Sequence, residues 1–159
     1  MIYYGPMFSF NLHPATVHFP IALLMIASIS GLLYLFWHSK LELRDSTWWT
    51  MAVGWLGALL ATLTGLLDQA SLPPRPPYQA TLDWHITTGL ASVFIYGTLL
   101  YQRWVYKPKA ENTSITDFLD EPSARLWIAA LLIIGVFLVL LSSWHGGQLV
   151  YRWGVNVGQ

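Results

Sequence analysis

Four of the five histidines stand at the boundaries of long apolar stretches: His13 and His18 before the first, His85 before the third and His145 after the fourth, with Asp68 closing the second. Imidazole is the commonest protein ligand for metals and titrates near neutrality without perturbation. Gathered at one depth, these side chains form a candidate cofactor site. His13, His18, His85 and His145, assisted by Asp68, are candidate ligands of a copper or zinc ion, which needs donors converging within about 2 Å. His18 and His85 are the candidate axial ligands of a haem b. A porphyrin held by a helical histidine lies against the next turn inward, where only small side chains leave room for its face. Ala22 stands in that relation to His18, and Gly89 to His85. His145 has Leu141 and Ser142 there, which is less accommodating. Arg75 and Arg152 are the cations of the same face and suit haem propionates or anionic headgroups. Asp68 and Asp83 are candidates to hold the second nitrogen of a ligating imidazole.

His13-Pro14 also reads simply as a helix entry, with proline in the first turn. His13 and His18 are five residues apart, about 140° around an ideal helix, and so do not share a face. Pro20 complicates this, because inside a helix it frees a carbonyl and kinks the axis. Either the helix begins near Phe19, or the entry is bent so that both imidazoles converge. His38 falls at the other end of the first stretch and reads as an ordinary interfacial residue.

What positions these residues follows from composition. The chain is 55% hydrophobic and 10% charged over 159 residues, where soluble domains carry roughly 25% charge. Four apolar runs of about 20 residues, each enough to cross the hydrocarbon core, cover 19–37, 48–67, 86–104 and 126–144. In lipid such runs are helices. The expected fold is all-α, a single-domain integral membrane four-helix bundle running up-down-up-down over residues 1–159. Starts of odd spans and ends of even spans coincide, so the histidines share one face. Gly146-Gly147 is the expected end of the fourth helix. Gly54, Gly57, Ala61 and Gly65 form a small-residue stripe for close helix packing within the bundle. Tryptophans at the span ends read as interfacial belts. No internal repeat is strong enough to argue two fused hairpins.

Six of the eight cations, Lys40, Arg44, Arg103, Lys107, Lys109 and Arg125, lie in the first and third loops. The positive-inside rule places those loops in the cytoplasm and both termini, with the histidine face, outside. The second loop sets Pro73, Pro74, Pro76 and Pro77 around Arg75, an extended strap over the histidine end or a stiff connector. Net charge is zero with no basic run, which argues against nucleic acid. The absence of cysteine excludes disulfides, thiolate-bound zinc, iron–sulfur clusters and covalent haem attachment within the chain. The N-terminus lacks a basic n-region and cleavage site, so the first span is expected to be retained. Nothing marks a hydrolytic nucleophile or a phosphate loop. A non-catalytic role is therefore expected.

The motifs HPATVHFPIALL, Gly65 to Asp68, His85 with Gly89, and GGQLVYRWGVNV resemble a family of four-span bacterial membrane proteins of unknown function over nearly the whole chain. The resemblance implies a bacterial inner-membrane domain, sometimes joined to Rieske-type modules, and hence redox chemistry. It also implies a histidine where Gln148 stands, a place His145 substitutes. The reading expected is a b-type cytochrome-like electron-transfer subunit of a larger respiratory or photosynthetic complex, in contact with lipid, other membrane subunits and a quinone. The alternatives are a structural or assembly subunit without cofactor, and a copper or zinc site at the outer histidines.

Overall fold

Helices satisfy every backbone donor and acceptor within one segment, which is why apolar runs adopt them in lipid. The computed structural model describes residues 12–37, 40–70, 72–107 and 116–155. In it the runs form α1 (Leu12–Thr16), α2 (His18–Phe36), α3 (Leu41–Gln69), α4 (Gln79–Val105) and α5 (Arg125–Tyr151), with a 3-10 turn at Phe118–Asp120. No strand occurs among the described residues. The fold is all-helical, as expected. His38 and Lys109 lie outside the described residues.

Among the described residues three stretches, His13–Phe36, Leu41–Gln69 and Arg125–Tyr151, are long and apolar enough to cross a membrane. The expected third span falls in α4, whose 27 residues give about 40 Å of helix at 1.5 Å per residue. Its polar positions, among them Thr81, Asp83, His85, Thr88 and Ser92, dilute its apolar character.

Two boundaries differ from expectation for physical reasons. The chain bends at Val17, between α1 and α2, so that Pro20 falls in the first turn of α2, where a missing N–H costs least. At the other end, α5 runs through Gly146-Gly147 to Tyr151 instead of stopping. Gly146 is there for packing, as shown below.

Neighbouring helices run antiparallel. Gly31 meets Thr47, and Gly54 meets Leu23 and Leu24, which aligns α2 against α3 in opposite directions. Gly135 meets Tyr96 and Gly89 meets Ser142, which does the same for α4 and α5. α2 and α4 face each other across the bundle diagonal, each flanked by α3 and α5. The small-residue stripe of α3 is internal: a Cβ on Gly54 would lie 3.0 Å from Leu23 Cβ, and one on Gly57 3.3 Å from Pro20.

The core is Leu24, Ala27, Trp48, Met51, Tyr96, Leu99, Ile128 and Leu132. The serine and threonine hydroxyls buried with it are paired, as buried polar atoms nearly always are. Ser28 and Tyr96, both fully buried, bond across the diagonal at 2.8 Å. Leu, Ile and Phe side chains such as Leu60, Phe94, Ile133 and Phe137 point outward, a surface suited to lipid.

The end opposite the histidines is closed by the 3-10 turn. Asp117 caps it, accepting from Leu119 N–H (3.1 Å), from Trp48 Nε1–H (2.8 Å) and from Arg103 Nε (3.3 Å). Asp120 accepts from Thr116 and Asp117 backbone N–H and from Tyr34.

Candidate functional site: a histidine pair at one end of the bundle

His13 sits on the one-turn helix α1 and His85 near the start of α4. The bend at Val17 tilts α1 across the end of α3, and the His13 Nδ1–H donates to the Ala61 carbonyl at 2.8 Å. His85 Nδ1–H donates in the same way to the Ser142 carbonyl on α5, at 2.9 Å. A carbonyl only accepts, so each neutral ring carries its proton on Nδ1 and keeps the Nε2 lone pair for something else. Carbonyl-held imidazoles of this kind are the usual form of metal-ligating histidines. The two rings meet with centroids 5.8 Å apart and planes at 74°.

The two halves build this pair alike. A Cβ on Gly65, one turn after Ala61, would lie 3.0 Å from His13 Cε1; a Cβ on Gly146, one turn after Ser142, would lie 3.0 Å from His85 Cε1. Each imidazole therefore lies flat against a glycine while bonding the carbonyl four residues before it. Hydroxyls complete both clasps. Thr64 approaches His13 Nδ1 at 3.4 Å, and Ser142 Oγ–H donates to the His85 carbonyl at 3.2 Å. The hairpins α1–α3 and α4–α5 are thus structural counterparts, a relation the sequence does not display. Donor and acceptor are 48 residues apart in the first hairpin and 57 in the second. The longer third loop hides the register.

The remaining candidates are placed as follows. His18 is at the same end but exposed, with Nδ1–H on the Pro14 carbonyl at 3.0 Å. The imidazole that faces His85 is His13, because the bend at Val17 turns it inward. Ala22 faces outward, and the space beside Gly89 is taken by Ser142 Oγ at 3.3 Å from a built Cβ. The turn-deeper slots at those two positions therefore do not line a common plane. His145 donates from Nδ1 to the Leu141 carbonyl (2.8 Å) and stacks on Trp84, centroids 6.2 Å apart. Asp68 is the penultimate residue of α3, one turn past Gly65, and Asp83 accepts from Gln79 Nε2 at 2.7 Å. Among the described residues no group of three or more His, Asp or Glu side chains converges as a metal site.

The strap 72–78 contains a buried Pro76 and an exposed Arg75 with φ of 53°, a left-handed conformation rare outside glycine. Arg152 follows α5, its guanidinium 5.2 Å from the centre of the Trp153 ring. A groove of about 430 Å³ runs along α5, lined by Ser143, Trp144, Gly147, Gln148, Tyr151 and Arg152. From sequence Gly65 is singled out for helix packing and Gly146 as a helix end, neither as the seat of an imidazole, and Trp153 is not singled out. The shared pattern of a small residue four positions before a glycine at the end of each second helix is the signal that points to the first two.

No curated protein and no solved structure matches this chain. Residues 9–159 match the model of the family described as predicted membrane protein (DUF2231), and the chain, with its apolar helices, belongs to that family.

Proposed function

We propose that this chain is a four-pass inner-membrane subunit that holds one haem b between His13 and His85 and serves electron transfer within a larger membrane complex. The observation that carries the reading is the facing pair itself, two imidazoles from α1 and α4, each with Nδ1–H fixed on a carbonyl and Nε2 without a hydrogen-bond partner among the described residues. With metal–nitrogen bonds of about 2 Å, two imidazoles sharing one metal have centroids roughly 6 Å apart, against 5.8 Å here.

The number of donors separates haem from a lone ion. A structural zinc site takes four protein ligands, and no set of three converges among the described residues. A porphyrin supplies four nitrogens and asks the protein for two. When bound, the haem supplies reversible one-electron chemistry at a potential set by its axial ligands. The chain's own part is to hold both rings in one tautomer and to keep the pair within an apolar bundle. A quinone and neighbouring subunits are the proposed redox partners. The cations of the first and third loops support cytoplasmic placement of those loops, with the histidine end outside.

The test is an optical spectrum of detergent-purified protein from a haem-replete host, before and after dithionite. A Soret band with a sharp reduced α-band is expected. Protein with no Soret absorption overturns the proposal and leaves a scaffold or assembly subunit as the better reading.

A further inference from the structure

Above the histidine pair, towards the end of the bundle, lies a donor with nothing to bond. Trp153 Nε1 is buried, and no acceptor reaches it among the described residues. Buried N–H groups are nearly always paired, so an orphan of this kind marks a place where an acceptor belongs. Its surroundings are specific. The Trp153 ring packs 6.1 Å from Tyr78, the residue that opens α4, and lies under the Arg152 guanidinium at 5.2 Å. Among the described residues Arg152 makes no ion pair. The nearby carboxylate of Asp83 is bonded to Gln79. An N–H and a positive charge side by side, with no anion supplied by the described residues, suit a carboxylate.

The position of this rim ties it to the pair. Tyr78 is seven residues before His85 on α4, and Trp153 is seven residues after Gly146, the glycine that touches His85. Seven residues of helix are about 10 Å. Tyr78 directly precedes α4 and Trp153 follows the end of α5 at Tyr151, so the orphan donor lies outward of the imidazoles on the scale of two helical turns. A porphyrin reaches a comparable distance from its central metal to the carboxylates at its edge.

We propose that Trp153 Nε1 and Arg152 form a carboxylate clamp that receives the propionate edge of the haem held between His13 and His85. This rests on the haem reading above and adds how the cofactor is oriented, with its propionates towards the strap and the membrane surface. Arg152 was expected in such a role from sequence; Trp153 was not.

The experiment is haem release from detergent-purified holoprotein to an excess of a haem-scavenging apoprotein, followed at the Soret band. Trp153→Phe removes the N–H and keeps an aromatic ring. It should release haem about tenfold faster than wild type, the scale of one charge-assisted hydrogen bond. With haem dimethyl ester, which has no free carboxylates, variant and wild type should release at the same rate. Arg152→Gln, which leaves the indole in place, should also accelerate release of the free acid and not of the ester. Equal release of the free acid from wild type and both variants, with the low-spin spectrum intact, overturns the clamp alone. Wild-type protein that takes up no haem overturns the histidine reading and the clamp with it.

Discussion

His13 and His85, 72 positions apart in the chain, meet with ring centroids 5.8 Å apart, each resting on a glycine of the neighbouring helix and each bonded to the carbonyl one turn before that glycine. The glycines are what let the rings in. Even a Cβ at Gly65 or Gly146 would lie 3.0 Å from an imidazole Cε1, so the ring would have to give way by a few tenths of an ångström and the Nδ1 bond that sets its tautomer would be strained.

Gly146→Ala is the sharpest probe of that arrangement. Alanine favours the helix over glycine by about 1 kcal/mol, so α5 itself gains. The new Cβ, 3.0 Å from His85 Cε1, forces the ring to shift. Cofactor affinity should fall about tenfold, near 1.4 kcal/mol, while thermal stability of the cofactor-free protein holds or rises. A parallel loss of both in a melt and a titration would mean that Gly146 serves only packing.

The core pair Ser28–Tyr96 gives a prediction about stability alone. Tyr96→Phe leaves the Ser28 hydroxyl bonded to the Leu24 carbonyl and should cost about 1 kcal/mol. Gly135→Leu should cost more, since even its Cβ would lie 2.8 Å from Tyr96 Cζ and overpacking of this kind costs about 1–3 kcal/mol. Thermal unfolding in one detergent, comparing the two variants, checks the order.

Much of this was legible in the sequence, and what was not has identifiable causes. Apolar runs fix helices because lipid offers no other partner for the backbone, so the helical class and the approximate spans follow directly from lengths and composition. That the histidines gather at one end follows from counting crossings. Which of them meet does not. An ideal helix sends His13 and His18 to different faces without saying which faces inward, and that choice is made by the bend at Val17 and by Gly65 on another helix. Gly89 looked like a platform for a flat ligand from its spacing to His85, yet Ser142 of α5 fills the space. Gly146-Gly147 looked like a helix end because glycine commonly stands there; packing against His85 put glycine inside α5 instead. Each of these depends on contacts between helices far apart in sequence, which local periodicity does not encode.

The sidedness proposed here rests on Lys and Arg in the first and third loops. Reporter fusions after Gln159 should be active for a periplasm-dependent enzyme and inactive for one that needs the cytoplasm. The reverse result would put the histidine end inside the cell.

The pairing of His13 with His85 is tested most directly by reduced-minus-oxidised spectra of three variants purified alongside wild type. His13→Ala and His85→Ala should each abolish the low-spin α-band or leave a five-coordinate spectrum, and His18→Ala, whose ring is exposed and bonded within its own segment, should keep the wild-type spectrum. Loss of the band in His18→Ala with His13→Ala unchanged would contradict the pair that the structure brings together.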